Sequence, residues 1–107
     1  MSAGQPTKIK DQVTLRYSDT LTLVGDLYKA SYEDGTPAVI LMTEEGQEPV
    51  SVNLTVHGYI PEIGAVFVKN QFSDLAQSLA DATGGTLGRT IAYGPYDATA
   101  TEVILGA

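Results

Sequence analysis

"VFVKNQFSDLAQSLADATGGTLGRT", residues 66–90, is the one stretch where the hydrophobic period changes. Before it apolar residues alternate every second position, the period of a strand, and after it alternation returns. Within it Phe72, Leu75, Ala76, Leu79 and Ala80 recur at i, i+3, i+4, i+7 and i+8, the single-sided stripe of an amphipathic helix. Asn70 is placed to cap that helix, since its side-chain oxygen can accept from free N–H groups of the first turn. Asp74 lies where the dipole favours negative charge. Gly84, one step past the last periodic residue, fits a left-handed C′ position. The glycines of "TGGTLGRT" follow the helix, whereas a phosphate cradle needs them before it, where N–H groups face the anion. They therefore read as helix punctuation.

Outward from this stretch, the rest of the chain reads as strands. In "QVTLRYS" Val13, Leu15 and Tyr17 share one face, and in "TLTLVGDLYKA" Leu21, Leu23 and Leu27 do so, with Gly25 a possible bulge. The short Ser18-Asp19 link pairs these two as a hairpin. "EDGT" is a turn, because Asp-Gly supplies positive φ. "PAVILM", residues 37–42, is a buried strand, and "TEEGQEP" a second turn. "VSVNLTVH" alternates, with Val50, Val52, Leu54 and Val56 inward and Ser51, Asn53, Thr55 and His57 outward. "AVFVK", "GRTIAYG" and "DATATEVIL" supply the remaining strands. The expected fold is α+β: one antiparallel sheet of five to seven strands with one helix, about residues 71–83, packed on one face. Residues 1–11, without periodicity, are expected to be a flexible arm, and residues 12–107 a single domain.

Composition narrows the chemistry. The 107 residues are 43% hydrophobic and 18% charged, as in a globular chain. Without cysteine there are no disulfides or thiolate sites, and the one histidine, His57, excludes a His-rich metal site. "MSAGQPTKIKDQ" has no apolar h-region, and no apolar run approaches a membrane span, so the expected location is cytoplasmic, without membrane association. The net charge is −7; without residues 1–11, 12 acids and 4 bases remain, or −8. So acidic a body disfavours direct nucleic-acid binding and favours a protein partner with a basic surface.

From Ala30 through Val68 there are six acids, Glu33, Asp34, Glu44, Glu45, Glu48 and Glu62, and no Lys or Arg. Such a segment suits either a mimic of nucleic acid, with carboxylates in place of phosphates, or a solubilising surface. The turns at 33–36 and 44–48 fall at opposite ends of one strand, roughly 23 Å apart at about 3.3 Å per residue, well beyond a Debye length of about 8 Å. Tyr28, Tyr32, Tyr59, Tyr93 and Tyr96 gather at strand ends and turns, as in protein interfaces or in the rim packing of a small core. His57 could act as a general base with Glu62 as its orienting partner and Tyr59 beside it, but no nucleophile is marked by spacing, and a turn histidine is the plainer reading. Asn53-Leu54-Thr55 matches a glycosylation sequon by chance. Arg89 follows the helix C-terminal loop, where free carbonyls favour a cation, and is expected to bridge that loop to the sheet; the alternative is an anion grip shared with the N–H groups of "GGTLG".

From Tyr32 to about Leu105, "YEDGTPAVILMTEEGQEPVSVNL", "VFVKN", a short helix and "TGGTLGRTI" followed by a final strand resemble a family of small proteins of unknown function. These are carried by plasmids, conjugative elements and phages of Gram-positive bacteria. The resemblance implies a strand, strand, strand, helix, strand order and a mobile-element origin. Lys69, Asn70, Gly88, Arg89 and Thr90 are motif positions to which it attaches no role. Taken together, the expected function is that of a non-enzymatic acidic protein-binding module, such as an inhibitor of a host defence complex of the anti-CRISPR or anti-restriction type. A small enzyme around His57, Tyr59 and Glu62 and a structural accessory protein are the alternatives. No cofactor or metal is expected, and unpaired sheet edges leave a homodimer open.

Overall fold

The computed structural model describes residues 6–106. Strands β1 (Thr7–Ser18), β2 (Leu21–Ser31), β3 (Pro37–Thr43) and β4 (Gly46–Pro49) form a four-stranded antiparallel sheet in the order β1-β2-β3-β4. After a 3-10 turn at Thr55–His57 come β5 (Ala65–Lys69), helix α1 (Leu75–Thr83), β6 (Thr86–Tyr93) and β7 (Ala98–Ile104). These three strands make a second antiparallel sheet in the order β5-β7-β6. The α+β class and the antiparallel pairing agree with the sequence reading, but the strands divide into two sheets rather than one.

The division occurs at residues 50–52. Val50 and Ser51 both donate backbone N–H bonds to Val39 of β3, at 3.0 and 3.3 Å, while Val52 donates to Phe67 of β5 at 2.9 Å. The chain thus leaves one sheet and touches the next within three residues. The alternation in "VSVNLTVH" does not continue as a strand, because Asn53 Oδ1 accepts from the Thr55 amide at 3.1 Å and lies 2.9 Å from its Oγ1. Such a local side-chain bond competes with the ladder and bends the backbone. The 3-10 turn that follows ends at Gly58, whose φ of 84° is left-handed. Val56, expected inward, is 85% exposed. The partner of β3 is instead β4, inside the segment read as a turn.

The helix starts at Leu75, not near residue 71, and Asn70 does not cap it. The N-cap position belongs to Asp74, whose side chain makes no capping bond. Strand β1 fixes this start: the Asp74 amide donates to the Tyr17 carbonyl at 3.0 Å, and the Arg16 amide donates to Ser78 Oγ at 2.9 Å. The helix therefore answers backbone groups along the free edge of β1, which protects that edge from pairing. Leu75, Ala76, Leu79 and Ala80 are buried as the stripe requires. Gly84 ends the helix at φ 71°, and the Gly85 amide closes it on Ala80 O at 2.8 Å. The cation at this end is Lys10, whose Nζ donates to Ala82 O at 2.9 Å.

Lys10 lies in the stretch expected to be an arm. Residues 7–11 are instead strand: Thr7 pairs with Lys29, Lys8 with Tyr28 and Lys10 with Leu27. The irregularities after Lys8 and Lys10 in that ladder hide its period from a sequence reading. Residues 1–5 of the expected arm lie outside the described residues. Since Lys8 and Lys10 belong to the folded body, its acidity is that of the whole chain rather than greater.

The main core joins Leu15, Leu27 and Leu41 of the first sheet, Val66, Val68 and Val103 of the second, and Leu75 and Leu79 of the helix. Phe67 points the other way along β5 and meets Leu54 and Ala100, with Tyr59 and Tyr93 packed against them. The second sheet thus has a core on each face, one shared with the helix and one covered by the loop after β4.

Candidate functional site

Four of the five motif positions, Asn70, Gly88, Arg89 and Thr90, gather around two neighbouring residues of β7. Thr101 Oγ1 donates to Asn70 Oδ1 at 3.0 Å and lies 3.2 Å from Thr90 Oγ1, while Asn70 Nδ2 donates to Thr99 Oγ1 at 3.1 Å. A polar tie therefore crosses β5, β7 and β6. Next to it Glu102 is only 3% exposed, on the Phe67 face. Its Oε2 accepts from the Glu62 amide at 2.7 Å, and its Oε1 lies 3.3 Å from Arg89 Nε. Gly88 and Arg89 form a bulge opposite this carboxylate, between the Leu87–Val103 and Thr90–Thr101 pairs. Gly88 leaves room for it, since a Cβ there would sit 3.2 Å from Glu102 Oε1. Arg89 also donates to Ile60 O at 2.9 Å and lies 5.5 Å from the Phe67 ring centroid. It ties the loop before β5 to the sheet, not the helix end to the sheet as expected. Lys69 is exposed and makes no ion pair among the described residues.

Glu102 was not singled out by the sequence reading. Its signal is a lone acid inside "ATATEVI" at a position opposite in parity to Val103, which a two-sided buried strand would make a buried charge.

The acidic residues separate as the strand spacing implies. At one end of β3, Asp34 Oδ1 accepts from the Thr36 hydroxyl at 2.6 Å and amide at 3.0 Å, and Oδ2 from Thr55 Oγ1 at 2.8 Å and Asn53 Nδ2 at 3.1 Å. These donors, Thr36 foremost, hold its carboxyl well below the usual range. Asp34 thus clasps the β2–β3 turn to the loop that covers the second core, and Glu33 beside it is exposed. At the other end, Glu44, Glu45 and Glu48 line an open cleft of about 640 Å³ together with Asp26, which the sequence reading did not include. No Lys or Arg lines it. Asp26 accepts from the Gln12 amide at 3.0 Å and lies 3.3 Å from Lys8 Nζ, and these contacts lower its pKa, the Gln12 bond most. Val24 and Met42, both exposed, share the cleft with the carboxylates.

Most of the tyrosines are engaged within the fold. Tyr28 lies under Lys8 Nζ, 5.8 Å from its ring centroid. Tyr32 OH is 2.8 Å from Ser51 Oγ, which itself accepts from the Val39 amide. Tyr59 OH donates to Ala92 O at 3.1 Å, and Tyr93 packs at a tilt against His57 with ring centroids 5.3 Å apart. Tyr96, at the tip of the β6–β7 hairpin, is 91% exposed and presents its ring to solvent. His57, Tyr59 and Glu62 do not form a hydrogen-bonded group: His57 is exposed on Tyr93, Tyr59 turns to Ala92, and Glu62 contributes its amide to Glu102.

Among the described residues no helix is long and apolar enough to cross a membrane. Nor does any group of three or more His, Asp or Glu among them stand ready to hold a metal ion. Compared with protein-family models, curated proteins and solved structures, the chain finds no match.

Proposed function

We propose that the protein is a non-enzymatic binding module that takes a basic segment of a protein partner into the cleft lined by Asp26, Glu44, Glu45 and Glu48. The observation that supports this reading is the composition of that lining: four carboxylates, no base, and exposed Val24 and Met42 among them. Glu44, Glu45 and Glu48 have no ion-pair partner among the described residues, so their field is not cancelled internally and attracts a cationic partner. Lys and Arg side chains carry apolar stems, which would cover Val24 and Met42 while their heads meet the carboxylates. The resemblance to mobile-element proteins directs the reading toward a host defence complex with a basic nucleic-acid groove, met in the cytoplasm.

The test is capture from lysate of a Gram-positive host on the immobilised protein, in parallel with the charge-reversed variant Glu44→Lys/Glu45→Lys/Glu48→Lys. The expected result is a basic protein retained by the parent, lost with the variant and released by salt. Equal retention by both proteins, or no retained protein at all, refutes the proposal.

A further inference from the structure

Of the sheet edges among the described residues, that of β6 alone is left open. The free side of β1 is answered by the helix, β4 is four residues long and ends in Glu48 and Pro49, and β5 is met by Val52. Strand β6 has β7 on one side and no strand on the other. Backbone bonds decide which of its groups face outward. Thr99 O accepts the Asn70 amide at 3.0 Å, so Thr99 and Thr101 turn to β5 and Ala100 turns to β6. Ile91, opposite Ala100, therefore bonds to β7, while Thr90 and Ala92, both exposed, direct their backbone N–H and C=O groups away from the sheet. Among the described residues those groups find one partner, the Tyr59 hydroxyl on Ala92 O. The second core opens onto the same edge: Leu54, Phe67 and Ala100 are buried in it, but Tyr59, Ile91 and Tyr93 remain partly exposed around them.

We infer that β6 pairs antiparallel with the β6 of a second copy of this chain, about a two-fold axis at Ile91, so that two three-stranded sheets become one continuous sheet. Charge argues for a second copy at this place. Chains of net charge −7 repel one another and approach at least cost where neither carries an acid. The two longest acid-free stretches of the chain, residues 49–61 and 82–96, meet at the Tyr59–Ala92 bond, and their only Lys or Arg, Arg89, is paired with Glu102. The bulge at Gly88 and Arg89 sets the register, because it leaves Thr90–Tyr93 as the regular part of the edge. In that register Thr90 of each copy exchanges backbone bonds with Ala92 of the other, and the Ala92 carbonyl has a second lone pair beside the one Tyr59 uses. Ile91 meets its own copy as a pair not bonded through the backbone, where side chains come closest, so the open rims of two small cores close on each other. The two Arg89 then stand about 13 Å apart at ~3.3 Å per residue, beyond a Debye length of about 8 Å. No residue of β6 lines the acidic cleft, and the inference does not rest on the partner proposed for it.

Sedimentation velocity of the full chain over about a hundredfold range of concentration tests for the pair, and amide hydrogen exchange locates it. The expected mass at the high end of the range is twice that of one chain. The Thr90 and Ala92 amides, which face water in a single copy, should exchange at least about tenfold more slowly at the high concentration than at the low one. Ala92→Pro removes an outward N–H at a position where an edge strand tolerates proline, and its amide spectrum verifies that it folds. That variant should sediment as a single chain at every concentration. The exchange measurement needs no variant and decides by itself whether β6 is the paired edge. A parent that stays at the mass of one chain throughout, a folded Ala92→Pro that still pairs, or Thr90 and Ala92 amides whose exchange does not slow with concentration would each overturn the inference.

Discussion

Arg89→Ala tests the tie between the loop and the second sheet, because its two ends differ so much in exposure. Glu102 is 3% exposed and the Arg89 side chain 48%. Removing the arginine strands a buried carboxylate with only the Glu62 amide as partner, whereas removing the charge of Glu102 leaves a guanidinium that water can reach. At 3.3 Å two unit charges interact by about 1 kcal/mol in water and about 5 kcal/mol at an effective dielectric constant of ~20. With Arg89 half in solvent, about 2 kcal/mol is the appropriate figure between those limits. The bond to Ile60 O adds about 1 kcal/mol, and the contact with the Phe67 ring about 0.5 kcal/mol. Arg89→Ala should therefore cost about 3–4 kcal/mol, in the range seen when a buried pair loses one partner. Glu102→Gln retains an acceptor for the Glu62 amide and should cost about 1–2 kcal/mol. On that background Arg89→Ala should cost only about 1–2 kcal/mol, which leaves a coupling of about 2 kcal/mol between the two residues. Urea midpoints of the four proteins measure this cycle. A cost below about 1 kcal/mol for Arg89→Ala, or a larger cost for Glu102→Gln than for Arg89→Ala, would show that the pair does not carry the tie.

Three further outcomes are expected. Leu79 is fully buried against both sheets, so Leu79→Ala should lower stability by about 2–5 kcal/mol, while exposed Gln77→Ala, which loses only a contact with Asp81, should change it by less than about 0.5 kcal/mol; similar melting points for the two variants would contradict the packing. Asp34 is depressed by its donors in the fold, so its contribution is complete above the ordinary aspartate range near pH ~4 and is lost as pH falls through the folded value. The urea midpoint should therefore decline more steeply on acidification for the parent than for Asp34→Asn, and parallel declines would argue against the clasp. Tyr17 is pushed up to about 12, first by burial and then by Glu48. Its contribution is complete below the unfolded value near ~10 and is lost as pH rises above it. Thermal unfolding on either side of that value should show an alkaline loss that Tyr17→Phe reduces, and an equal loss in both would mean the hydroxyl is not buried in solution.

What the sequence determined by itself is what rests on neighbours a few residues apart. Alternation placed the strand faces around Leu15 and Leu27, the i, i+3, i+4 stripe placed Leu75 and Leu79 inside, and Gly84 ended the helix, since each depends on one backbone period or one dihedral. The turn at Asp34-Gly35 was legible for the same reason. Tertiary structure decided whatever depended on a distant donor or acceptor. "VSVNLTVH" has the pattern of a strand, but the local Asn53–Thr55 bond bends it, Asp34, some twenty residues earlier, holds both residues in that turn, and Val56 is left in water. Asn70 is chemically suited to cap a helix, but Thr99 and Thr101 engage it from β7. Arg89 follows a helix end in sequence, but a bulge turns it toward Glu102, while Lys10 is the cation that reaches a helix-end carbonyl, that of Ala82. Periodicity reports which face of an element avoids water. It does not report which polar group, brought near only by folding, outcompetes the local one, and in this protein those long-range bonds divide the strands into two sheets and arrange the charged residues.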